Sequence, residues 1–223
     1  MMDSQLIATS DGSVTIYLPQ WNESYHSKHG AIQEAYHVFI KNGLDFFSDK
    51  RELSILEIGF GTGLNALITF LESQKRKQKI NYTAVEYYPI SQELYSRLNY
   101  PELLQAESSQ ETFLEFHRCG WGKEHSFSDF FSLEKLRFRF EEIDLENRFD
   151  LIYFDAFGFR VQPELWSAEI FKKMFTALKK QGILTTYAAR GVITRNMKEA
   201  GFSVRKTSGP VGKREMTIAS KNL

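Results

Sequence analysis

Two spacings of hydrophobic residues divide the chain into a short N-terminal part and a longer remainder. In residues 6–19, two stretches rich in β-forming residues flank Asp11-Gly12, which predicts a β-hairpin. Residues 31–42 carry apolar side chains at i, i+3 and i+4 and are therefore predicted to form a helix. We interpret residues 1–50 as an N-terminal extension made of this hairpin and this helix.

From residue 51 onward, short apolar runs alternate with amphipathic segments. Strands are predicted at 53–58, 80–85, 136–140, 149–154 and 183–187, and helices at 62–74, 90–98, 163–179 and 192–199. Residues 101–133 are expected to be helical with loops, and 202–207 should pair with 215–219 as a closing hairpin. This alternation favours an α/β fold in which a mostly parallel, seven-stranded sheet carries helices on both faces. Residues 51–223 then form a Rossmann-like core, and 1–223 a single domain.

The strongest chemical signal is the turn after the first core strand, where residues 57–65 read EIGFGTGLN. Glycine lets such a turn bend sharply and lets a ligand lie against the backbone. A dinucleotide fingerprint needs Gly or Ala at the position of Leu64. The observed E-x-G-x-G-x-G form is typical of class I S-adenosylmethionine-dependent methyltransferases. It predicts S-adenosylmethionine as the cofactor, with contacts from Glu57, Gly59, Phe60, Gly61, Gly63 and Asn65.

Acidic residues follow later strands of the predicted sheet. Glu86 comes directly after the second core strand, where a carboxylate can accept hydrogen bonds from both ribose hydroxyls of a nucleoside cofactor. Tyr87 is placed to cover the adenine, and Asp144 is a candidate for its amino group, in competition with Glu142. Asp155 follows the apolar strand 149–154 and should face the same crevice, since ligands bind at the carboxyl ends of parallel strands.

Three further patterns together resemble one group of enzymes. Asp155-Ala156-Phe157 is followed by PELW at 163–166, GKREM occupies 212–216, and Glu34 precedes Val38 and Phe39. Combined with the glycine loop, they make nearly the whole chain similar to the tRNA methyltransferases that form 5-methylaminomethyl-2-thiouridine at the wobble position. One departure is Gly158-Phe159, where members often carry Ala-Pro, and it affects the loop that follows the strand.

The resemblance implies N-methylation of 5-aminomethyl-2-thiouridine in the anticodon stem-loop of tRNA. Asp155 is the candidate base that orients the amine and takes its proton, and Glu34 is a second candidate on the substrate side. Lys and Arg contact phosphates, and aromatic rings stack on a splayed base. The residues expected to bind RNA are therefore Phe157, Tyr187, Arg190, Lys213 and Arg214. Some members are fused to an FAD-dependent oxidase, and here that oxidase is expected to be a separate chain acting on the same nucleoside.

Charge and cysteine content bear on the binding partner and on the cellular location. The net charge is zero, yet residues 186–223 hold eight Lys/Arg against two Asp/Glu, a surplus of six positive charges that suits a nucleic acid. A single cysteine, Cys119, excludes an internal disulfide. The sequence has no apolar run of membrane-spanning length and no secretory signal at its start, so the cytoplasm is the expected location.

The histidines of the N-terminal part invite a metal interpretation. The spacing of His26, His29 and His37 matches no common zinc pattern, so no metal is expected. Together with Tyr25 and Lys28, the first two are interpreted as a mobile cover that meets the nucleotide.

Two alternatives use the same fold. An aminopropyltransferase would take a decarboxylated form of the cofactor, but its glycine motif usually has adjacent glycines and it needs no basic tail. The second alternative is a non-catalytic RNA-binding module, against which the intact glycine loop, Glu86 and Asp155 argue. The sequence allows two roles for Trp166, which could form a wall of the pocket or belong to the core.

Overall fold

The computed structural model describes residues 4–222, and its N-terminal part forms a small antiparallel sheet. The strands of this sheet are β1 (Gln5–Ala8), β2 (Val14–Leu18) and β3 (Glu23–Ser24). β1 and β2 pair as the predicted hairpin. In its turn, the Asp11 carboxylate accepts hydrogen bonds from the backbone N–H groups of Ser13, Ile32 and Gln33. The turn therefore caps the first helix and ties it to the hairpin.

The core is an eight-stranded sheet, one strand more than the seven predicted. Its strands are β4 (Glu52–Ile58), β5 (Lys79–Val85), β6 (Glu124–Ser128), β7 (Phe131–Leu136), β8 (Phe149–Phe154), β9 (Leu178–Thr186), β10 (Ser203–Ser208) and β11 (Glu215–Ser220). They lie in the order β10-β11-β9-β8-β4-β5-β7-β6. The five strands from β9 to β7 run parallel, and the outer pairs are antiparallel. Because β5 and β8 lie on opposite sides of β4, a crevice opens at their carboxyl ends.

Helices cover both faces of this sheet, as predicted. They are α1 (Ala31–Ala35), α2 (Leu64–Arg76), α3 (Gln92–Tyr95), α4 (Tyr100–Leu103), α5 (Gln110–Arg118), α6 (Ala168–Ala177) and α7 (Gly191–Glu199). A π-helix, Tyr36–Lys41, continues α1. One apolar layer joins α1, α2 and α5 to the sheet, and a second joins α6 and α7 to its other face. Among residues 4–222, no helix has the length and apolar character that crossing a bilayer requires.

The predicted strand 136–140 is wrong, because the strand in this region is β7 and it ends at Leu136. Lys135 interrupts the apolar pattern although its side chain is fully buried. Its ammonium donates a hydrogen bond to the His117 carbonyl at 2.8 Å and lies 4.7 Å from the centre of the Trp121 ring. β6 was missed for another reason, since it is a mostly polar edge strand without a hydrophobic pattern.

Two predicted helices are longer than the observed ones. The helix predicted at 90–98 is reduced to the single turn of α3. The segment 163–179 begins as a 3-10 turn, and α6 starts afresh where the Ser167 hydroxyl accepts a hydrogen bond from the Ile170 N–H. Propensity alone does not reveal such a restart, because it depends on a local cap. The division into residues 1–50 and 51–223 stays a prediction, and residues 1–3 and 223 lie outside the described part of the chain.

Candidate functional site

A cavity of about 1450 Å³ occupies the crevice at the carboxyl ends of β4, β5 and β8, beneath the N-terminal extension. It brings together residues from motifs that are far apart in the sequence. The predicted site residues that line it are Glu34, Gly59, Phe60, Gly61, Asn65, Glu86, Tyr87, Asp155, Phe157, Tyr187 and Lys213. The residues of the predicted cover, Tyr25, His26, Lys28 and His29, also line this cavity.

The turn between β4 and α2 requires glycine at two positions. Gly59 has a φ of 91°, and a Cβ there would lie 2.8 Å from the backbone oxygen of Asp155. Gly63 has a φ of 74° at the start of α2, with the His117 ring 3.0 Å from the place of a Cβ. A Cβ at Gly59 would clash with the backbone that follows β8, and one at Gly63 would displace the His117 ring, so these glycines let the loop lie close against its neighbours.

Glu86 joins the end of β5 to the glycine loop. Its carboxylate accepts hydrogen bonds from the N–H groups of Gly61 at 3.1 Å and Tyr88 at 2.8 Å, one at each oxygen. Burial raises the pKa of this carboxyl. Each oxygen keeps a further lone pair, so the group can accept two hydroxyl donors from a ligand diol. Beside it, the Arg139 guanidinium lies 4.5 Å from the centre of the Tyr87 ring.

Asp155 is linked to the glycine loop through one amide. Asn65, in the first turn of α2, donates one N–H to Glu57 and the other to Asp155, both at 2.9 Å. Burial, together with the nearby Glu34 carboxylate, raises the pKa of Asp155 to about 7. Burial also holds the pKa of Glu57 well above its usual range. A carboxyl that titrates near neutrality is suited to accept a proton.

Glu34 and Lys213 meet at the same end of the cavity. One oxygen of Glu34 accepts a hydrogen bond from the Lys213 ammonium, and the other accepts from the Ser27 N–H at 2.9 Å. The ammonium lies 3.8 Å from the centre of the Tyr187 ring. The Tyr187 hydroxyl donates to the Ala156 carbonyl at 2.8 Å. Lys213 is therefore paired inside the site and is not the outward phosphate ligand that the sequence predicted.

The N-terminal extension supplies an aromatic wall and a polar contact. The rings of Trp21 and Tyr25 lie edge-on to Phe157, with centroids 5.4 and 4.9 Å away. His26 Nε2 shares a hydrogen bond of 2.7 Å with the Thr62 hydroxyl on the glycine loop. Burial lowers the pKa of His26 to about 4, so the ring is neutral at physiological pH. The wall and the hydrogen bond hold the extension over the cavity.

Some predicted site residues lie elsewhere. Glu57 is completely buried behind the glycine loop, so its contacts support the loop and do not reach a ligand. Gly63 shapes the start of α2 without lining the cavity. Asp144 is exposed and outside the lining, so the structure does not bring it to an adenine site. Arg190 and Arg214 are exposed beyond the cavity.

Trp166 belongs to the core. It has no exposed surface, and its indole N–H donates to the Phe157 carbonyl at 2.8 Å. It thereby supports the residue that lines the cavity. Within residues 4–222, no group of three or more His, Cys, Asp or Glu side chains is arranged to hold a metal ion.

Two further residues, Trp21 and His117, line or support the site and were not predicted from the sequence. Trp21 is the only tryptophan in the polar stretch 20–30, a signal that would have been visible. His117 gives no such signal, because its role arises from packing. Its Nε2 shares a 3.2 Å hydrogen bond with the Thr62 carbonyl, and its ring stacks on Tyr95 with centroids 4.5 Å apart.

Known proteins with similar sequences are methyltransferases or carry out tRNA modification. Residues 132–222 match a family model described as S-adenosyl-L-methionine-dependent methyltransferase. Two similar curated proteins are tRNA 5-methylaminomethyl-2-thiouridine biosynthesis bifunctional proteins MnmC. The one from Burkholderia multivorans is 30% identical over 98% of this chain, and the one from Cupriavidus metallidurans is 29% identical over 96%. The chain spans about a third of their length, 35% and 33% respectively.

Solved structures share the fold. MnmC2 from Aquifex aeolicus superposes with a TM-score of 0.77 and 24% identity, covering 99% of this chain and 71% of that one. Spermidine synthase from Thermotoga maritima superposes with a TM-score of 0.58 and 17% identity, covering 98% and 69%. These comparisons confirm the predicted fold class.

The cavity fits S-adenosylmethionine, the cofactor that the family uses. The glycine loop leaves space that a Cβ would fill, and Glu86 offers two acceptors at the neighbouring strand end. The glycine loop, the strand order and the family match over residues 132–222 all indicate an S-adenosylmethionine-dependent methyltransferase. The chain thus matches the S-adenosyl-L-methionine-dependent methyltransferase family over residues 132–222, and over nearly its whole length it is similar to the MnmC proteins.

Proposed function

We propose that this chain transfers a methyl group from S-adenosylmethionine to the amine of 5-aminomethyl-2-thiouridine at the wobble position of tRNA. The observation that carries the proposal is the position of Asp155. Its carboxyl lines the cavity beside the glycine loop, is fixed by Asn65, and has a pKa raised by burial to about 7. The names of the similar curated proteins support the choice of nucleoside.

The chemistry assigns a separate task to each side of the cavity. The bound cofactor supplies an electrophilic methyl group on a sulfonium. Gly59, Gly61 and Glu86 hold the cofactor, so the direction of attack is fixed before the substrate arrives. Asp155 accepts the proton that the amine must lose to expose its lone pair, and Asn65 keeps the carboxylate aimed at that place.

The substrate side of the cavity provides an aromatic ring for stacking, and basic side chains lie outside it. Phe157 stands between Trp21 and Tyr25, which suits a base extruded from the anticodon loop. The face of Tyr187 is covered by the Lys213 ammonium, so stacking is assigned to the Phe157 wall. The exposed Arg190 and Arg214 contact phosphates and help to hold the stem-loop.

The names of the similar proteins support a second activity on the same nucleoside. They are named bifunctional, and this chain aligns with about a third of each. We propose that a separate FAD-dependent oxidase acts on the same nucleoside and supplies the primary amine. The test is whether adding such an oxidase increases methylated product from tRNA that still carries the oxidase's substrate.

The decisive experiment is nucleoside analysis after reaction with S-adenosylmethionine. The substrate is a synthetic anticodon stem-loop with 5-aminomethyl-2-thiouridine, and the control carries plain 2-thiouridine. We expect a mass gain of one methyl group on the first RNA alone. In a parallel reaction with the decarboxylated cofactor, an aminopropyl adduct would support the aminopropyltransferase alternative. Tight RNA binding without turnover would support a binding module and overturn the proposal.

A further inference from the structure

The chain places one of its own primary ammonium groups beside the proposed base. Lys213 donates to the Glu34 carboxylate, and its ammonium lies over the face of Tyr187, 3.8 Å from the ring centre. The Glu34 side chain is 10% exposed and that of Lys213 is 32% exposed. All three residues line the same cavity as Asp155. An anionic oxygen together with an aromatic face is a combination that binds alkylammonium groups.

The Glu34 carboxylate and the Tyr187 ring, which together could receive an ammonium group, are held in place without Lys213. The second oxygen of Glu34 accepts from the Ser27 N–H at 2.9 Å, and the Tyr187 hydroxyl donates to the Ala156 carbonyl at 2.8 Å. Ala156 directly follows Asp155, so the ring is anchored next to the base. Glu34 and Tyr187 therefore keep their positions when the Lys213 side chain leaves.

Lys213 itself is attached less firmly. It lies in the turn between β10 and β11, where Gly212 has a φ of 83° and the neighbouring Val211 is 62% exposed. A lysine has a long flexible stem, so its ammonium can move to solvent while the backbone stays in place. The Lys213 side chain is already partly open to water.

We infer that Glu34 and Tyr187 form the subsite for the primary amine of the substrate, and that Lys213 fills this subsite until the substrate displaces it. The inference rests on the proposed function. It assigns Glu34 to substrate binding, leaves proton removal to Asp155, and gives Lys213 an inhibitory role in the ligand-free chain. The subsite takes a primary ammonium or amine on a short alkyl arm.

The test compares two RNAs that differ only in the amine. Kd is measured without cofactor for a stem-loop with 5-aminomethyl-2-thiouridine and for the same stem-loop with 2-thiouridine. Taking the ratio of the two values cancels the phosphate contacts. In Lys213→Met the preference for the amine-bearing RNA should rise about tenfold, which corresponds to about 1.4 kcal/mol. In Glu34→Gln the preference should fall towards one.

Lys206→Met is the matched control. It removes the same charge from the same hairpin, where Lys206 pairs with Glu215 at 2.8 Å outside the cavity. Its preference should equal that of the parent. Lys213→Ala is measured as well, with thermal unfolding of every variant, so that a folding defect in one substitution does not decide the result. An unchanged or lower preference in both folded Lys213 variants overturns the inference. A parent chain that methylates neither RNA overturns the proposed function instead.

Discussion

Asp155→Asn should make the protein more stable and much less active. The carboxyl is buried, and its pKa is raised from 3.8 to about 7 by that burial and by Glu34. The folded chain therefore disfavours the ionised form relative to the unfolded chain. Asparagine has nearly the same shape, and its side-chain oxygen can still accept the hydrogen bond that Asn65 donates.

The size of the gain follows from the pKa shift. About three pKa units at about 1.4 kcal/mol each give a ceiling near 4 kcal/mol, and partial exposure of the side chain reduces the expected gain to on the order of 2 kcal/mol. The sign depends on pH. Because the folded pKa is raised, the parent loses stability as pH rises from about 4 to about 7, and the loss is complete above 7. The gain in Asp155→Asn should therefore be full at pH 8 and vanish near pH 4.

Urea unfolding of both proteins at pH 8 and pH 4 measures this difference directly. At pH 8 the melting temperature should also rise, by roughly 4–8 °C for a chain of this size. Single-turnover methylation should slow by about 10²–10⁴, since the proton acceptor is gone. The parental rate should increase with pH up to about 7, and the variant should lack that inflection. A variant that is no more stable than the parent at pH 8 would refute the reasoning about burial.

Three further predictions concern the cofactor loop and its cover. Glu86→Gln should weaken cofactor binding about 10- to 100-fold in a calorimetric titration, because hydrogen bonds to a charged acceptor are lost, and unchanged affinity would remove Glu86 from the site. Gly59→Ala should cost more than about 2 kcal/mol in urea unfolding, since its Cβ would meet a backbone oxygen at 2.8 Å, whereas Gly122→Ala, with positive φ but no atom within 4 Å, should cost about 1 kcal/mol; equal losses would contradict the close approach. Burial lowers the pKa of His26 to about 4, so its contribution to stability is lost as pH falls from about 6.5 to 4, and His26→Gln should lose less stability than the parent over that range in the same assay.

The sequence by itself determined the fold class and brought the residues at the strand ends to one edge of the sheet. Alternating strands and helices imply a parallel sheet, and the carboxyl ends of parallel strands lie at one edge. Residues that directly follow core strands, such as Gly59, Glu86 and Asp155, are therefore brought together by a general rule of topology. The glycine spacing selected the class of cofactor. Local pattern and strand direction were sufficient for these residues, and their individual roles stay predictions.

Only the tertiary structure decided which side chains pair across long separations. Glu34 and Lys213 are 179 residues apart, and no local pattern indicates that a lysine of the basic tail turns inward. Lys135 is buried against a carbonyl and an aromatic ring. A lysine normally indicates an exposed position, so the sequence pattern did not predict the strand β7. Asp144 sits in a loop, and its position depends on how that loop crosses the surface. Such placements depend on packing between distant segments, because a charged group is buried only where another part of the chain supplies its partner.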